Sequence, residues 1–149
     1  MNKERYLKKL NELWEKNRPS FLPDEPNYPF GKILLTDYLR QRARLTPNKP
    51  VIIFYGEELT FKQLDDLSDR FAAFLARKGC KKGDRVAVYL PNCPQFLIVF
   101  YATLKLGCIH VPINPMFMPQ ELLYELNDSG AKVIVALDRL YPMVNAVKE

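Results

Sequence analysis

Strand-like and helix-like segments alternate from Val51 to the end of this 149-residue chain. Arg85 to Leu90 is a β-branched and apolar run that suits a strand buried on both faces. Similar runs follow at Cys108 to Ile113 and at Lys132 to Leu137, each after a segment with helical spacing. Alternation over short turns produces right-handed crossovers and a parallel sheet. The sequence therefore predicts an α/β fold, with a mostly parallel sheet and helices on both faces.

Five segments in and before this region have the apolar spacing of helices. Thr60 and Gln63 form a T-x-x-Q capping box at the start of one of them, and Gly79 ends it. Thr36 is expected to cap an earlier helix, and Asn92 the helix that follows the first buried strand. The predicted helices span Leu35 to Leu45, Phe61 to Gly79, Gln95 to Leu106, Pro119 to Ser129 and Arg139 to Glu149.

A β-hairpin is predicted between the first two of these helices. Val51 to Tyr55 is β-branched and aromatic, and Leu59 to Phe61 resumes an extended run. We expect Gly56-Glu57-Glu58 to form the turn that connects them.

An N-terminal arm precedes the α/β region. Residues 3 to 16 carry an apolar stripe of Tyr6, Leu7, Leu10, Leu13 and Trp14. Four prolines between Asn17 and Gly31 predict an extended linker. We therefore divide the chain into the arm, residues 1–31, and an incomplete α/β subdomain, residues 32–149. The stripe is expected to dock on the protein's own body or on a partner subunit, with a membrane surface as the alternative.

The formal charge of +5 originates before Val51, where 11 Lys and Arg face 6 Asp and Glu. Because acidic residues are interspersed among these cations, we interpret them as a solvated face and predict no nucleic-acid partner. The longest uncharged apolar run is Phe96 to Leu104, far short of the roughly 20 residues that cross a bilayer. We expect no transmembrane segment.

Cys80, Cys93 and Cys108 are odd in number and include no C-x-x-C pair. Neither a disulfide framework nor a zinc site follows from them, since the chain has one histidine. Cysteines in apolar segments behave as small buried hydrophobes. With a charged, helical N-terminus in place of a signal peptide, this usage predicts a reducing compartment, the cytoplasm.

Candidate site residues are few. Neither phosphate-binding glycine pattern follows a strand, and Glu57-Glu58 and Asp65-Asp66 are expected to be solvated. His110 is interpreted as a hydrogen-bonded core or strand-end histidine, although Cys93 and Cys108 lie near it in sequence. Asn92 is the best single candidate for a cleft residue, because it follows the carboxyl end of a strand. Helix capping alone would also explain Asn92, and we favour that interpretation.

Three stretches in order carry a resemblance to a known family. They are Leu59 to Leu64, Gly79 to Val88, and Pro91-Asn92 through Gly107 to Pro115, and the match continues through Asn127-Asp128-Ser129-Gly130. Together they resemble the adenylate-forming enzymes, particularly the AMP-forming acyl-CoA synthetases such as the long-chain fatty-acid–CoA ligases. The departures are Phe61, where the family more often has Tyr, and Cys108-Ile109-His110.

The resemblance implies a two-step reaction in which ATP and magnesium activate a carboxylate as an acyl-adenylate and CoA then displaces AMP. The family's Gly/Ser/Thr-rich phosphate loop, Tyr-x-x-Thr-Glu segment, ribose-binding Asp and C-terminal lysine are not in these 149 residues. We therefore assign no catalytic, cofactor-binding or metal-binding residue. We expect an N-terminal synthetase fragment that is not competent for adenylation alone.

Two alternatives remain at this point. One is a stand-alone non-catalytic module that pairs with a partner chain or regulates a synthetase. The other is an unrelated Rossmann-like nucleotide binder, against which the absence of a phosphate loop argues. A fragment of a larger sheet is expected to expose an apolar face or an open strand edge. The predicted partner is therefore the complementary remainder of the synthetase or another copy of the chain.

Overall fold

The computed structural model describes residues 2–23 and 26–148. It divides the chain into two compact units, Met1–Lys32 and Ile33–Glu149. Asp24 and Glu25 of the predicted linker, and Glu149 at the end of the last predicted helix, lie outside the described residues.

The described residues of the first unit contain one helix, α1, at Lys3–Asn17. The Asn2 side chain caps it by accepting a hydrogen bond from the Arg5 backbone N–H at 2.9 Å. No residue of α1 is buried. The helix is therefore formed as predicted, and the surface on which its apolar stripe docks stays a prediction.

The second unit is built around a three-stranded parallel sheet with the order β4-β3-β5. Its strands are β3 at Arg85–Tyr89, β4 at Ile109–Pro112 and β5 at Val133–Ala136. Val86 of β3 pairs with His110 on one side and with Val133 on the other. All four residues from Val86 to Tyr89 are 0% exposed. The predicted doubly buried parallel strand is confirmed.

Helices cover both faces of this sheet, as predicted. On one face lie α3 at Phe61–Arg77 and α4 at Pro94–Lys105, and on the other lie α5 at Pro119–Ser129, a 3₁₀ turn at Asp138–Leu140 and α6 at Tyr141–Asn145. Helix α2 at Leu35–Leu45 packs mainly against α3. Val86 and Val88 pack in one cluster with Leu75 of α3 and Val99 of α4. Ala87 and Tyr89, which alternate with them, pack on the other face in a cluster that includes Leu122 of α5.

The predicted hairpin is present, but its turn lies one residue earlier than expected. Strands β1 at Pro50–Phe54 and β2 at Glu57–Thr60 are antiparallel, and Phe54 pairs with Glu57. The two-residue loop Tyr55-Gly56 has φ values of 51° and 87°, as in a type I′ turn. Glu57 and Glu58 therefore belong to β2, and the prediction that they form the turn was wrong.

One predicted cap is confirmed and two were wrong. The Gln63 N–H donates to Thr60 Oγ1 at 3.3 Å, and the Thr60 N–H donates to Gln63 Oε1 at 2.8 Å. Leu34 stands at the N-cap of α2, and Thr36 is buried inside that helix. Cys93, not Asn92, is the N-cap residue of α4. Pro94 follows it in the first turn, where the missing N–H and fixed φ of proline help to start a helix without a side-chain cap.

Candidate functional site: an open cleft at the carboxyl ends of β3 and β5

The direction in which successive strands are added to the sheet reverses beside β3. The chain passes from β3 through α4 to β4, and then through α5 back across β3 to β5. In open α/β sheets, ligands bind outside the carboxyl ends of the strands where the order reverses. The structure has an open cavity of about 860 Å³ at this place, between the ends of β3 and β5. We call this cavity the cleft.

Five parts of the second unit form the cleft. The hairpin loop and α3 form one side, and the chain after β3, the start of α4 and the end of β5 complete it. The lining is mostly apolar, and its polar side chains are Arg70, Gln95, Asp138 and Arg139. The apolar lining consists of Phe54, Tyr55, Leu67, Phe71, Phe74, Leu90, Pro91, Cys93, Ile98, Val99, Val135, Ala136 and Leu137.

Helix α3 supplies the aromatic wall of the cleft. Leu67, Phe71 and Phe74 are spaced i, i+4 and i+7, so they lie on one side of the helix. The rings of Phe71 and Phe74 are 5.6 Å apart. Phe74 remains 41% exposed. The sequence predicted the apolar stripe of α3, but it gave no sign that part of the stripe would stay uncovered.

Tyr55 lines the same cleft from the hairpin loop, and sequence reasoning missed it. It is 94% exposed, and its ring meets the ring of Phe54 edge-on at 4.5 Å. Its positive φ is costly for a side chain with a Cβ atom. The signal that could have found it is an aromatic residue before Gly56, where a two-residue hairpin favours Asn, Asp or Gly.

Asn92 does not line the cleft itself. It is exposed beside a smaller cavity of about 300 Å³, which also touches Ile52, Phe54 and Phe96. Cys93, the next residue, lines both cavities. The favoured capping interpretation of Asn92 was wrong, and its predicted place in a cleft holds only for this neighbouring cavity.

His110 lies on the α4 face of the sheet, away from hydrogen-bonding groups. Its ring meets Phe96 and Phe100 edge-on, with centroids 5.3 and 5.1 Å away. Within the described residues, neither ring nitrogen has a hydrogen-bond partner. Burial lowers the pKa of His110, because the charged imidazolium is poorly solvated there. The expected core histidine is present, but the prediction that it is hydrogen-bonded was wrong.

Cys108, one of the two cysteines near His110 in sequence, is not an activated nucleophile. Cys108 is buried, and its thiol donates to the Lys81 carbonyl oxygen at 3.2 Å. Burial raises the pKa of Cys108, which keeps the sulfur protonated. Cys80 is also buried, and all three cysteines are free. The expectation of small, mainly buried thiols is confirmed for Cys80 and Cys108, whereas Cys93 is partly exposed.

The two pairs of carboxylates differ from each other. Glu57 and Glu58 are exposed, as predicted. Asp65 was expected to be solvated, and that was wrong: its Oδ1 lies 2.5 Å from the Nζ of Lys105, whose side chain is 3% exposed. Lys105 Nζ also lies 2.8 Å from Asp69 Oδ1, so the last turn of α4 is joined to α3. We call this group the lysine clasp.

The described residues contain no group of three or more His, Cys, Asp or Glu side chains that could hold a metal ion. In the same residues, no helix is long and apolar enough to cross a membrane. The cleft has a mostly apolar lining, which is a surface for packing apolar groups.

Comparisons with known proteins identify the family of this chain. Residues 39–149 match the AMP-binding enzyme family, and the chain belongs to it. It is 41% identical over 135 residues to the long-chain-fatty-acid–CoA ligase of Bacillus subtilis, covering 91% of this chain and 24% of the relative. The corresponding ligase of Escherichia coli O157:H7 is 38% identical over 127 residues, covering 85% of this chain and 22% of the relative. The chain thus spans about a quarter of the length of these relatives.

Solved structures agree with the family and with the fold. A fatty acyl CoA synthetase of Mycobacterium tuberculosis matches with a TM-score of 0.72 at 35% identity, over 76% of this chain and 23% of that structure. The inhibitor-bound N-terminal domain of FACL13 from the same organism gives the same score and identity, over 76% and 29%. The predicted fold class and the resemblance to the N-terminal part of an acyl-CoA synthetase are confirmed.

Proposed function

We propose that this chain is the N-terminal scaffold of an AMP-forming long-chain fatty-acid–CoA ligase and does not form adenylates alone. By scaffold we mean a part that positions catalytic residues carried elsewhere in the enzyme. The observation that supports this proposal most directly is the cleft, an apolar wall left open at the carboxyl ends of β3 and β5.

The apolar side chains that stay exposed in the cleft support the proposal that a further segment of the enzyme packs on them. Two aromatic side chains of the lining stay open to solvent, since Phe74 is 41% and Tyr55 is 94% exposed. Burying apolar surface stabilises by roughly 25 cal/mol per Å². A segment that packs on this wall would therefore bind to it favourably, and the remainder of a synthetase is the occupant we propose.

The sheet edges support the same conclusion. Among the described residues, β4 and β5 each pair with β3 alone, so their outer edges have no ladder partner. Open edges attract further strands. In a complete ligase they would continue into a larger sheet, whereas in the isolated chain they favour association with another copy.

The chemistry of the family supports assigning catalysis to other residues. Adenylation requires oriented donors and a metal ion around the charge that develops on the phosphates. The sequence offers no glycine-rich phosphate loop for this purpose. We therefore assign ATP, magnesium and CoA to the complete ligase and none of them to this chain. We also propose a cytoplasmic location, which the free cysteines support.

Exchanging matched segments tests the scaffold role. We would replace the matched segment of the Bacillus subtilis ligase by this chain and measure acyl-CoA formation from palmitate. We expect a soluble chimaera with activity. Phe74→Asp should abolish that activity, because it places a charge on the wall that must be covered. Leu45→Asp is the matched control, since Leu45 is 63% exposed and does not line the cleft.

The isolated chain supplies the second arm of the test. We expect no heat of binding with ATP and magnesium, AMP or palmitate, and no acyl-adenylate. Adenylate formed by the chain alone would overturn the assignment of catalysis elsewhere. A folded but inactive chimaera would overturn the scaffold role and favour the alternative, a non-catalytic module that pairs with a partner or regulates a synthetase.

A further inference from the structure

Helix α1 presents an apolar stripe that its own unit leaves open to solvent. The stripe recurs at i, i+1, i+4, i+7 and i+8 and includes an aromatic residue near each end of the helix. The exposed fractions are 50% for Tyr6, 46% for Leu7, 42% for Leu10, 47% for Leu13 and 59% for Trp14.

Three cations line one border of this stripe. At 100° per residue, Arg5, Lys9 and Lys16 lie within about 40° of one another on the helix surface. Lys9 is four residues from Leu13, so the cations directly adjoin the stripe. Within the described part of the chain, none of the three forms an ion pair at its side chain. We call them the basic flank.

Two of the three glutamates of α1 lie toward the opposite border, and the third, Glu12, lies on the polar face within about 20° of Arg5. Glu4 and Glu15, toward that border, lie within about 20° of each other. The helix as a whole has five Lys and Arg against three Glu. Two such helices would therefore repel each other overall, whereas a surface of negative charge would attract the basic flank.

We propose that α1 lies flat on an anionic lipid bilayer, with its apolar stripe in the acyl-chain boundary and its basic flank over the headgroups. Amphipathic helices with Lys and Arg beside a Trp- and Leu-containing face bind membranes in this way. Trp14 and Tyr6 are of the residue types that favour the interface between headgroups and hydrocarbon. Long basic side chains can reach the headgroups while their stems cover apolar surface. This proposal depends on α1 alone and not on the proposed scaffold role.

Trp14 makes the proposal directly measurable, because it is the only tryptophan in the 149-residue sequence. The full chain would be titrated with phosphatidylcholine vesicles, with and without 30 mol% phosphatidylglycerol, while Trp14 emission is recorded. We expect a blue shift with the anionic vesicles at low salt and a weaker one at high salt. Lipids brominated on their acyl chains should quench the shifted emission.

Two charge variants separate the basic flank from the net charge. Changing Arg5, Lys9 and Lys16 to Gln should weaken partitioning about 100-fold, at roughly five-fold per cation. Changing Arg44, Arg77 and Lys148 to Gln removes the same charge from exposed positions outside α1 and should leave partitioning within about five-fold. Leu10→Glu should abolish the blue shift by interrupting the stripe.

Three results would overturn the proposal. The first is a Trp14 emission maximum that does not shift with anionic vesicles, or that shifts equally with phosphatidylcholine alone. The second is an equal loss of partitioning in both charge variants. The third is a vesicle-independent blue shift that grows with protein concentration, which would assign the stripe to another copy of the chain. Circular dichroism of each variant confirms that the helices remain formed.

Discussion

The lysine clasp should contribute more to the free energy of unfolding than an ion pair on the protein surface would. The Lys105 ammonium group donates to the Asp65 carbonyl oxygen at 2.9 Å, in addition to its contacts with the carboxylates of Asp65 and Asp69. An ammonium group has three N–H donors, so all three are used. Lys105→Met keeps an unbranched side chain in α4 and removes these bonds together.

The expected loss follows from the exposure of each partner. Hydrogen bonds to a charged group contribute about 1.5–3 kcal/mol when they are buried. The Asp65 side chain is 18% exposed, so it regains only part of its hydration when Lys105 is removed. Asp69 is 54% exposed, and its pair contributes little beyond about 0.5 kcal/mol. We expect Lys105→Met to lower the free energy of unfolding by about 2–3 kcal/mol.

The order of effects is the sharper test. Asp65→Asn should cost about 1–2 kcal/mol, because it leaves a buried ammonium group without its nearest carboxylate. Asp69→Asn should cost about 0.5 kcal/mol. The Lys105→Met and Asp65→Asn losses should also be non-additive by at least about 1 kcal/mol in the double variant.

Urea unfolding followed by far-ultraviolet circular dichroism measures these losses. Trp14 fluorescence is unsuitable, since that residue lies in α1 and reports on the first unit. The reasoning would be refuted by a Lys105→Met loss below about 0.5 kcal/mol, or by Asp69→Asn costing as much as Asp65→Asn. Additive losses would show that Lys105 and Asp65 are not coupled.

Three further predictions concern other features of the second unit. Burial disfavours protonation of His110 in the folded protein. Its effect on the free energy of unfolding is therefore absent above about pH 6.5, and below that pH the free energy of unfolding decreases by up to about 1.4 kcal/mol per pH unit. His110→Val should remove that slope from urea midpoints measured between pH 7 and 5, and an unchanged slope would contradict the burial argument. Tyr55→Asn should raise stability by about 1 kcal/mol, because Asn tolerates positive φ; a lower urea midpoint would contradict this. The open edges of β4 and β5 should make the isolated chain associate, and light scattering that shows a monomer at high concentration would contradict that expectation.

Local sequence signals predicted those parts of the fold that depend on neighbouring residues. The capping box at Thr60 is complete within four residues, and the apolar run of β3 needs no distant information. Two caps failed because helix starts at Leu34 and Cys93 use no side-chain hydrogen bond, so Ser, Thr, Asn and Asp preferences do not apply there. The lysine clasp joins residues 40 positions apart, and no local pattern marks it.

The sequence predicted only part of the candidate site, and helix α3 shows why. At 100° per residue, Leu64, Ser68 and Leu75 occupy about 40° of the helix surface, and all three are buried. Leu67, Phe71 and Phe74 occupy the adjoining 60° or so and face the cleft.

Periodicity in the sequence marks this arc of α3 as mainly apolar and cannot show which half is covered, because the half that faces the cleft is no less apolar than the buried half, which contains Ser68. Only the packing shows that this chain covers one half and leaves Phe74 41% exposed on the other. An amphipathic helix is stabilised by burying its apolar face, so a face apolar beyond what the chain covers supports the neighbour proposed for the cleft. The same reasoning predicts where a neighbour must pack, and substitutions at Phe74 should affect a completed enzyme more than the isolated chain.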